Sequence, residues 1–141
     1  MKFIIDTNIL LSALIKDSAT RKVIVKSGWD FYYPEMSFHE VRKYKDLVLK
    51  KSGMDENGYS KLLDLILEHV NILPDERIIK NIGRAKKVMG HIDPDDVVFV
   101  ATKLSIADSV IWSDDSDFDK QDKIKVLKSE QIIKLFDSLM E

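Results

Sequence analysis

With 141 residues, 45% of them hydrophobic, the chain fits one domain of about 100–200 residues and has enough apolar material for a self-sufficient core. Its 22 Lys and Arg against 24 Asp and Glu leave a formal net charge of −2, which excludes a protein held to polyanions by bulk charge; any such contact needs a local basic face or bound cations. The chain has no cysteine, which excludes disulfides, thiolate metal ligands and a cysteine nucleophile.

Lys2-Phe3-Ile4-Ile5-Asp6 is a short apolar run ending in an acid, the pattern of a strand buried on both faces. Residues 1–14 are apolar but include Asp6 and Asn8 and lack a basic leader, so no signal peptide is expected. No apolar run approaches the roughly 20 residues that span a bilayer. A soluble, cytoplasmic protein is the expectation. Residues 7–16 predict a helix, and a second over 18–27 is closed by Gly28. The aromatic segment 29–33 stops at Pro34 and suits a second strand. Ser37-Phe38-His39-Glu40 has the spacing of a capping box and opens a helix predicted to reach Ser52.

Residues 53–58 break the chain, after which Leu62, Leu63, Leu65, Ile66 and Val70 keep helical spacing. A short strand at 71–73 follows. Residues 75–89 predict one helix, 90–94 a loop, and 94–106 another helix with Pro94 at its first position. Residues 109–113 suit a buried strand, 114–122 an acidic loop, 124–127 a strand, and a last amphipathic helix begins near Ser129. Strands alternating with helices imply an α/β fold: a central, mainly parallel sheet with helices on both faces, as one domain over residues 1–141. Functional groups in such sheets collect beyond the carboxyl ends of the strands. Asp6, Glu40, Asp96 and the cluster Asp114, Asp115 and Asp117 all fall where they can converge on that edge.

Each acid also has a structural explanation. Asp6 suits a helix cap, Glu40 the returning arm of a capping box, Asp93 an N-cap, and Asp95 and Asp96 the positive end of a helix dipole. The acidic loop suits a solvated turn. Taken together, however, the acids would repel one another in one crevice and call for a positive partner. His39, His69 and His91 do not have a metal-ligand spacing, so zinc is disfavoured, and an oxygen-only donor set favours Mg²⁺ or Mn²⁺.

Four segments carry a resemblance that spans the chain: Ile4-Ile5-Asp6-Thr7-Asn8; Ser37-Phe38-His39-Glu40-Val41; residues 93–101, Asp93-Pro94-Asp95-Asp96 through Ala101; and residues 111–118, with Ser113-Asp114-Asp115-Ser116-Asp117. In order and spacing they resemble the PIN-domain family of VapC-like ribonucleases. The resemblance implies a Rossmann-like PIN fold and a metal-dependent nuclease acting on RNA, of the kind found as toxins beside small antitoxin proteins. By position it implies Asp6, Glu40, Asp96 and Asp115 as catalytic residues. Asp6, Asp96, Asp115 and Asp117 would bind Mg²⁺ or Mn²⁺, with Thr7, Asn8 and Ser113 orienting the carboxylates. Asp114, Asp115, Asp117 and Asp119 compete for one place, and Asp115 is taken first because it follows Ser113 by two. Lys103 departs from the small residue common in the family.

Two other classes share these features. A receiver-like Mg²⁺-dependent phosphoacceptor would place paired acids at the end of the first strand, where this chain has Asp6-Thr7-Asn8. A non-catalytic RNA-binding PIN module would not need the complete acidic set. Arg21, Lys22, Arg42, Lys43, Lys45, Arg84, Lys86 and Lys87 are basic candidates for gripping phosphate, most of them suited equally to solvated helix faces. A homodimer is expected, with apolar faces at residues 62–70 and 132–139 as candidate contacts.

Overall fold

The structure, a computed structural model, describes residues 1–15 and 18–140. Its sheet contains β1 (Lys2–Ile5), β2 (Asp30–Pro34), β3 (Val70–Leu73), β4 (Ser109–Trp112) and β5 (Val126–Leu127), in the order β3-β2-β1-β4-β5. Every pairing is parallel. The central position of β1 explains its composition, because a strand covered on both faces has no solvent side for polar residues. Phe3, Ile4 and Ile5 are accordingly buried, as are Ile111 and Trp112 of the neighbouring β4. An aromatic row crosses the core from Trp29 through Phe3 and Phe31 to Trp112, with ring centroids 5.3, 6.0 and 6.1 Å apart.

Right-handed crossovers from a central first strand send the early and late connections to opposite faces. On one side α1 (Thr7–Leu14), α2 (Ala19–Lys26) and α5 (Glu56–Leu67) pack together, and α9 (Ser129–Leu139) joins α2. In the other group α6 (Asp75–Ile79) and α7 (Ile82–Met89) pack on α8 (Val97–Ser105), which lies against β1, β2 and β4. Among the described residues no helix is long and apolar enough to cross a membrane.

Several local expectations are corrected. The first helix ends at Leu14, and Lys16 lies outside the described residues. The helix expected from Ser37 to Ser52 is divided at Tyr44 into α3 (Phe38–Lys43) and α4 (Lys45–Ser52). The Ser37 capping box does not form. Ser37 closes a 3-10 turn over Glu35–Ser37 with φ −98° and ψ 2°, whereas a capping residue needs extended backbone to turn its oxygen onto the helix. Gly58 lies inside α5, which Asp55 caps by accepting the Gly58 N–H at 2.7 Å, so the break covers less than residues 53–58. Val70 opens β3 rather than continuing a helix.

Residues 75–89 form two helices because the backbone turns at Asn81, whose amide side chain donates to Ser105 Oγ at 2.9 Å. The acidic loop contains a 3-10 turn, Ser116–Lys120, and β5 starts only at Val126. Of the apolar faces considered for dimerisation, Ile66, Val70, Ile132 and Phe136 are buried in the core, leaving Leu65 and Leu139 exposed.

Gly53 ends α4 in the left-handed region at φ +72°, with its N–H donating to Leu49 O at 3.0 Å. No atom crowds a Cβ there, so the cost of a side chain is conformational. Gly53→Ala should lower the unfolding free energy by about 1–2 kcal/mol, measured by urea denaturation.

Candidate active site

The register of the sheet creates the centre of the site. Ile5 pairs with Trp112, so Asp6 and Ser113 leave the sheet at the same level on adjacent strands. Asp6 Oδ1 accepts the Ile9 N–H at 2.9 Å and caps α1, while Oδ2 accepts the Ser113 hydroxyl. Ser113 Oγ also accepts the Asp115 N–H at 3.0 Å, and Asp115 Oδ1 accepts the Asp117 N–H at 2.9 Å. This relay folds the acidic loop back over the end of β1.

A second relay fixes the opposite wall. Tyr33 donates its phenol hydrogen to the Ser37 carbonyl at 3.0 Å. With that hydrogen committed, Thr7 Oγ1 is the donor in its 2.7 Å bond to Tyr33 Oη. Burial, the largest cause, pushes the Tyr33 phenol well above its ordinary range and keeps it a neutral donor. The start of α1 is thereby tied to the turn that precedes α3 and Glu40.

Between these walls lies a cavity of about 170 Å³ onto which Asp6, Asn8, Glu40, Tyr44, Asp96 and Asp115 open. Asp93, Asp96, Asp115 and Asp117 each bring a carboxylate oxygen within 4.8 Å of the others. Asp96 Oδ2 is buried without a hydrogen-bond partner. Burial first, and then Asp115 beside it, push the Asp96 carboxyl up to about 9. Burial likewise pushes Asp6 up to about 6, against the lowering effect of the Ser113 and Ile9 hydrogen bonds. Glu40 stands half-buried on the wall, with no side-chain partner among the described residues. The failed capping box leaves its carboxylate directed to no helix terminus.

Each sequence-derived acid therefore has a location. Asp6, Glu40, Asp96 and Asp115 share the cavity, and Asp117 stands at its margin, paired with Lys120 at 2.9 Å. That pairing, chiefly the hydrogen bond from Lys120, holds the half-buried Asp117 carboxyl below its ordinary range. Asp114 is turned away, accepting the Ser129 N–H at 2.7 Å and the Ser129 hydroxyl at 2.6 Å at the start of α9. Asp119 pairs with Lys128 at 3.0 Å. Asp93 does cap the Pro94–Asp96 turn, accepting the Asp95 N–H at 3.0 Å, yet it also belongs to the carboxylate group.

Thr7 and Ser113 form the relays described above, whereas Asn8 is exposed on the rim. Tyr33 and Tyr44 escaped sequence reasoning because their spacing carries no signal for a contact across the fold, and the spacing of Ser37 signals only a helix cap. Of the basic candidates, Arg21 holds the end of α1 by donating to Ala13 O and Ile15 O, each at 2.7 Å, and Lys45 pairs with Glu56 at 3.5 Å. Lys103 does not line the cavity.

The donor set is made of hard oxygens, and the partnerless Asp96 oxygen fits a divalent cation. The molecule is thus an α/β protein with a carboxylate-lined cavity at the carboxyl edge of a parallel sheet. A family model described as PIN domain matches residues 4–132, and the chain belongs to the PIN-domain family, whose members are generally nucleases. No curated protein matches it. Among solved structures, it is similar to a chain of VapBC2 from Rickettsia felis, in a crystal structure with a DNA fragment from their promoter. That likeness has a TM-score of 0.66 at 12% identity and covers 91% of this chain and 98% of that one.

Because Asp6 and Asp96 have folded values above the ordinary 3.8, the folded state binds more protons than the unfolded state across that gap. Their contribution to stability is present below 3.8 and is lost as pH rises, through about 6 for Asp6 and about 9 for Asp96. In EDTA, Asp96→Asn should therefore gain melting temperature relative to the unsubstituted protein as pH rises from 5 to 9. Parallel melting curves across that range would show that Asp96 is not destabilised by its charge.

Proposed function

We propose that this chain is a metal-dependent endoribonuclease that hydrolyses RNA phosphodiester bonds. The observation that carries the reading is the buried, partnerless Asp96 Oδ2 inside a cavity shared with Asp6, Glu40 and Asp115. Asp6, Asp96 and Asp115 would hold Mg²⁺ or Mn²⁺, with Asp117 joining from the margin. Asp6 remains competent although both its oxygens accept hydrogen bonds, because an ionised carboxylate has about four lone-pair sites. When bound, such an ion supplies neutralisation of charge on the phosphoryl oxygens and makes water a better nucleophile at neutral pH.

The protein's own groups divide the remaining work. Glu40 would accept a proton from the attacking water, a role supported by its half-buried, unengaged carboxylate on the cavity wall. Ser113 sets the angle of the Asp6 carboxylate, and its contact with the Asp115 N–H sets the loop that carries Asp115. Thr7, through Tyr33 and Ser37, holds the turn that leads into α3, the helix carrying Glu40. Asn8 on the rim offers hydrogen bonding to an incoming strand.

A receiver-like phosphoacceptor fits less well, since its nucleophilic acid would have to be Asp6, which caps α1 and holds Ser113. We extend the proposal to the toxin of a toxin–antitoxin pair with a small antitoxin partner, supported by the fold it shares with a chain of VapBC2. A cytoplasmic location is supported by the absence of cysteine. A homodimer is supported by exposed apolar side chains, among them Leu47, Ile79 and Leu139.

Mixed RNA should be cleaved with Mg²⁺ or Mn²⁺ and left intact in EDTA, with Asp6→Asn inactive; cleavage that persists in EDTA would remove the metal from the reading. Glu40→Gln should reduce cleavage by about 10²-fold or more at unchanged melting temperature. Near-normal activity in that variant would remove Glu40 from the reaction. Saturating Mn²⁺ should raise the melting temperature, and Asp6→Asn should reduce that gain. Light scattering should give twice the 16.3 kDa chain mass, and a monomer mass at all concentrations would refute the dimer.

A further inference from the structure

Beside the acidic cavity lies a groove of about 520 Å³ with the opposite charge. One wall is the surface of α7 and the turn after it, where Arg84, Lys87 and His91 follow the spacing that keeps side chains on one helical face. Lys120 and Lys123 from the acidic loop form the other wall, and Asp122 is the single acid in the lining. Cations in a last helical turn offset the helix dipole, which accounts for Lys87. It does not account for Lys120 and Lys123, brought to the same groove from a segment more than thirty residues away.

Two further observations make this a constructed surface. Gln121 fastens the second wall, donating to Phe118 O and Ile124 O at 3.0 and 2.9 Å and accepting the Lys123 and Ile124 N–H groups at 3.0 and 2.8 Å. The loop therefore presents its lysines from a rigid backbone, lowering the ordering cost of binding. The groove is also continuous with the acids. Lys120 lines it and pairs with Asp117, whose carboxylate lies within 4.8 Å of those of Asp93, Asp96 and Asp115. Arg84, Lys87 and Lys123 have no ion pair among the described residues.

We propose that the groove between α7 and the Ser116–Lys120 turn binds the phosphodiester backbone of a single-stranded RNA and leads that strand to the acidic cavity. This rests on the ribonuclease reading and deepens it by naming the strand's path. The groove resolves how a chain of net charge −2 receives a polyanion: attraction is local, and it is placed next to the acids without diluting them. An RNA backbone is favoured over an acidic peptide because the groove's charges are joined to the carboxylate group through the Lys120–Asp117 pair rather than standing as an isolated patch.

The test is fluorescence anisotropy of a labelled single-stranded RNA 20-mer in EDTA, where binding is measured without cleavage. The variant is Lys87→Glu with Lys123→Glu, both exposed, and the control is Lys26→Glu with Lys61→Glu, exposed on α2 and α5 with the same net charge change. The groove variant should bind about 10-fold or more weakly at low salt, with the slope of log affinity against log salt flattened by about 1.4, at roughly 0.7 for each phosphate no longer neutralised. The control should stay within about twofold of the unsubstituted protein.

Equal losses in the two variants would reduce the effect to bulk charge and overturn the groove. So would an undiminished affinity in the groove variant, or an unsubstituted protein that binds polyglutamate but not RNA. Cleavage with Mn²⁺, measured in parallel, separates the two proposals. Groove-dependent binding without cleavage would sink the ribonuclease reading and keep the groove, whereas cleavage and binding that ignore the groove variant would do the reverse.

Discussion

The hydrogen bond from Ser113 to Asp6 is the interaction on which the functional edge of this molecule depends. It joins the ends of the two central strands, and it can form only because the parallel register brings Ile5 opposite Trp112. The same carboxylate caps α1 through Ile9, so one side chain sets a helix start, a strand junction and the floor of the cavity. Ser113 then passes the constraint to Asp115 through a backbone hydrogen bond. The structural role of Asp6 and its proposed chemical role are therefore compatible demands on one carboxylate.

The fold concentrates charge at an energetic cost. Asp6 and Asp96 are buried close to other acids, and burial is the larger cause of the raised value in each. A compact core of branched and aromatic side chains supplies the surplus stability that such a site consumes. An apolar residue in place of Asp96 would remove the cost of burying that carboxylate.

The acids nearby divide between this cavity and ordinary architecture. Asp114 serves α9, Asp119 serves Lys128, and Asp93 serves the turn before α8 while remaining within reach of the cluster. Basic residues divide in the same way: Arg21 closes α1, whereas Arg84 and Lys87 open onto the groove. Net charge is a poor guide to such a protein because opposite charges are sorted into adjacent surfaces.

By itself the sequence determined the strand and helix alternation, the placement of Asp6 at the end of the first strand, and the acidic stations Glu40, Asp96 and the cluster Asp114, Asp115 and Asp117. Burial periodicity and the acid that follows an apolar strand are local patterns, legible without coordinates. Tertiary structure alone decided the competitions. Ser37 has the spacing of a cap but is entered from a 3-10 turn, so Glu40 is not drawn into a capping box. Asp114 and Asp115 are adjacent and chemically identical, and only the arrival of Ser129 and Ser113 at different sides of the loop gives them different partners. Spacing along a chain specifies which groups are available, but hydrogen-bond partners are chosen among all the groups that folding brings within reach.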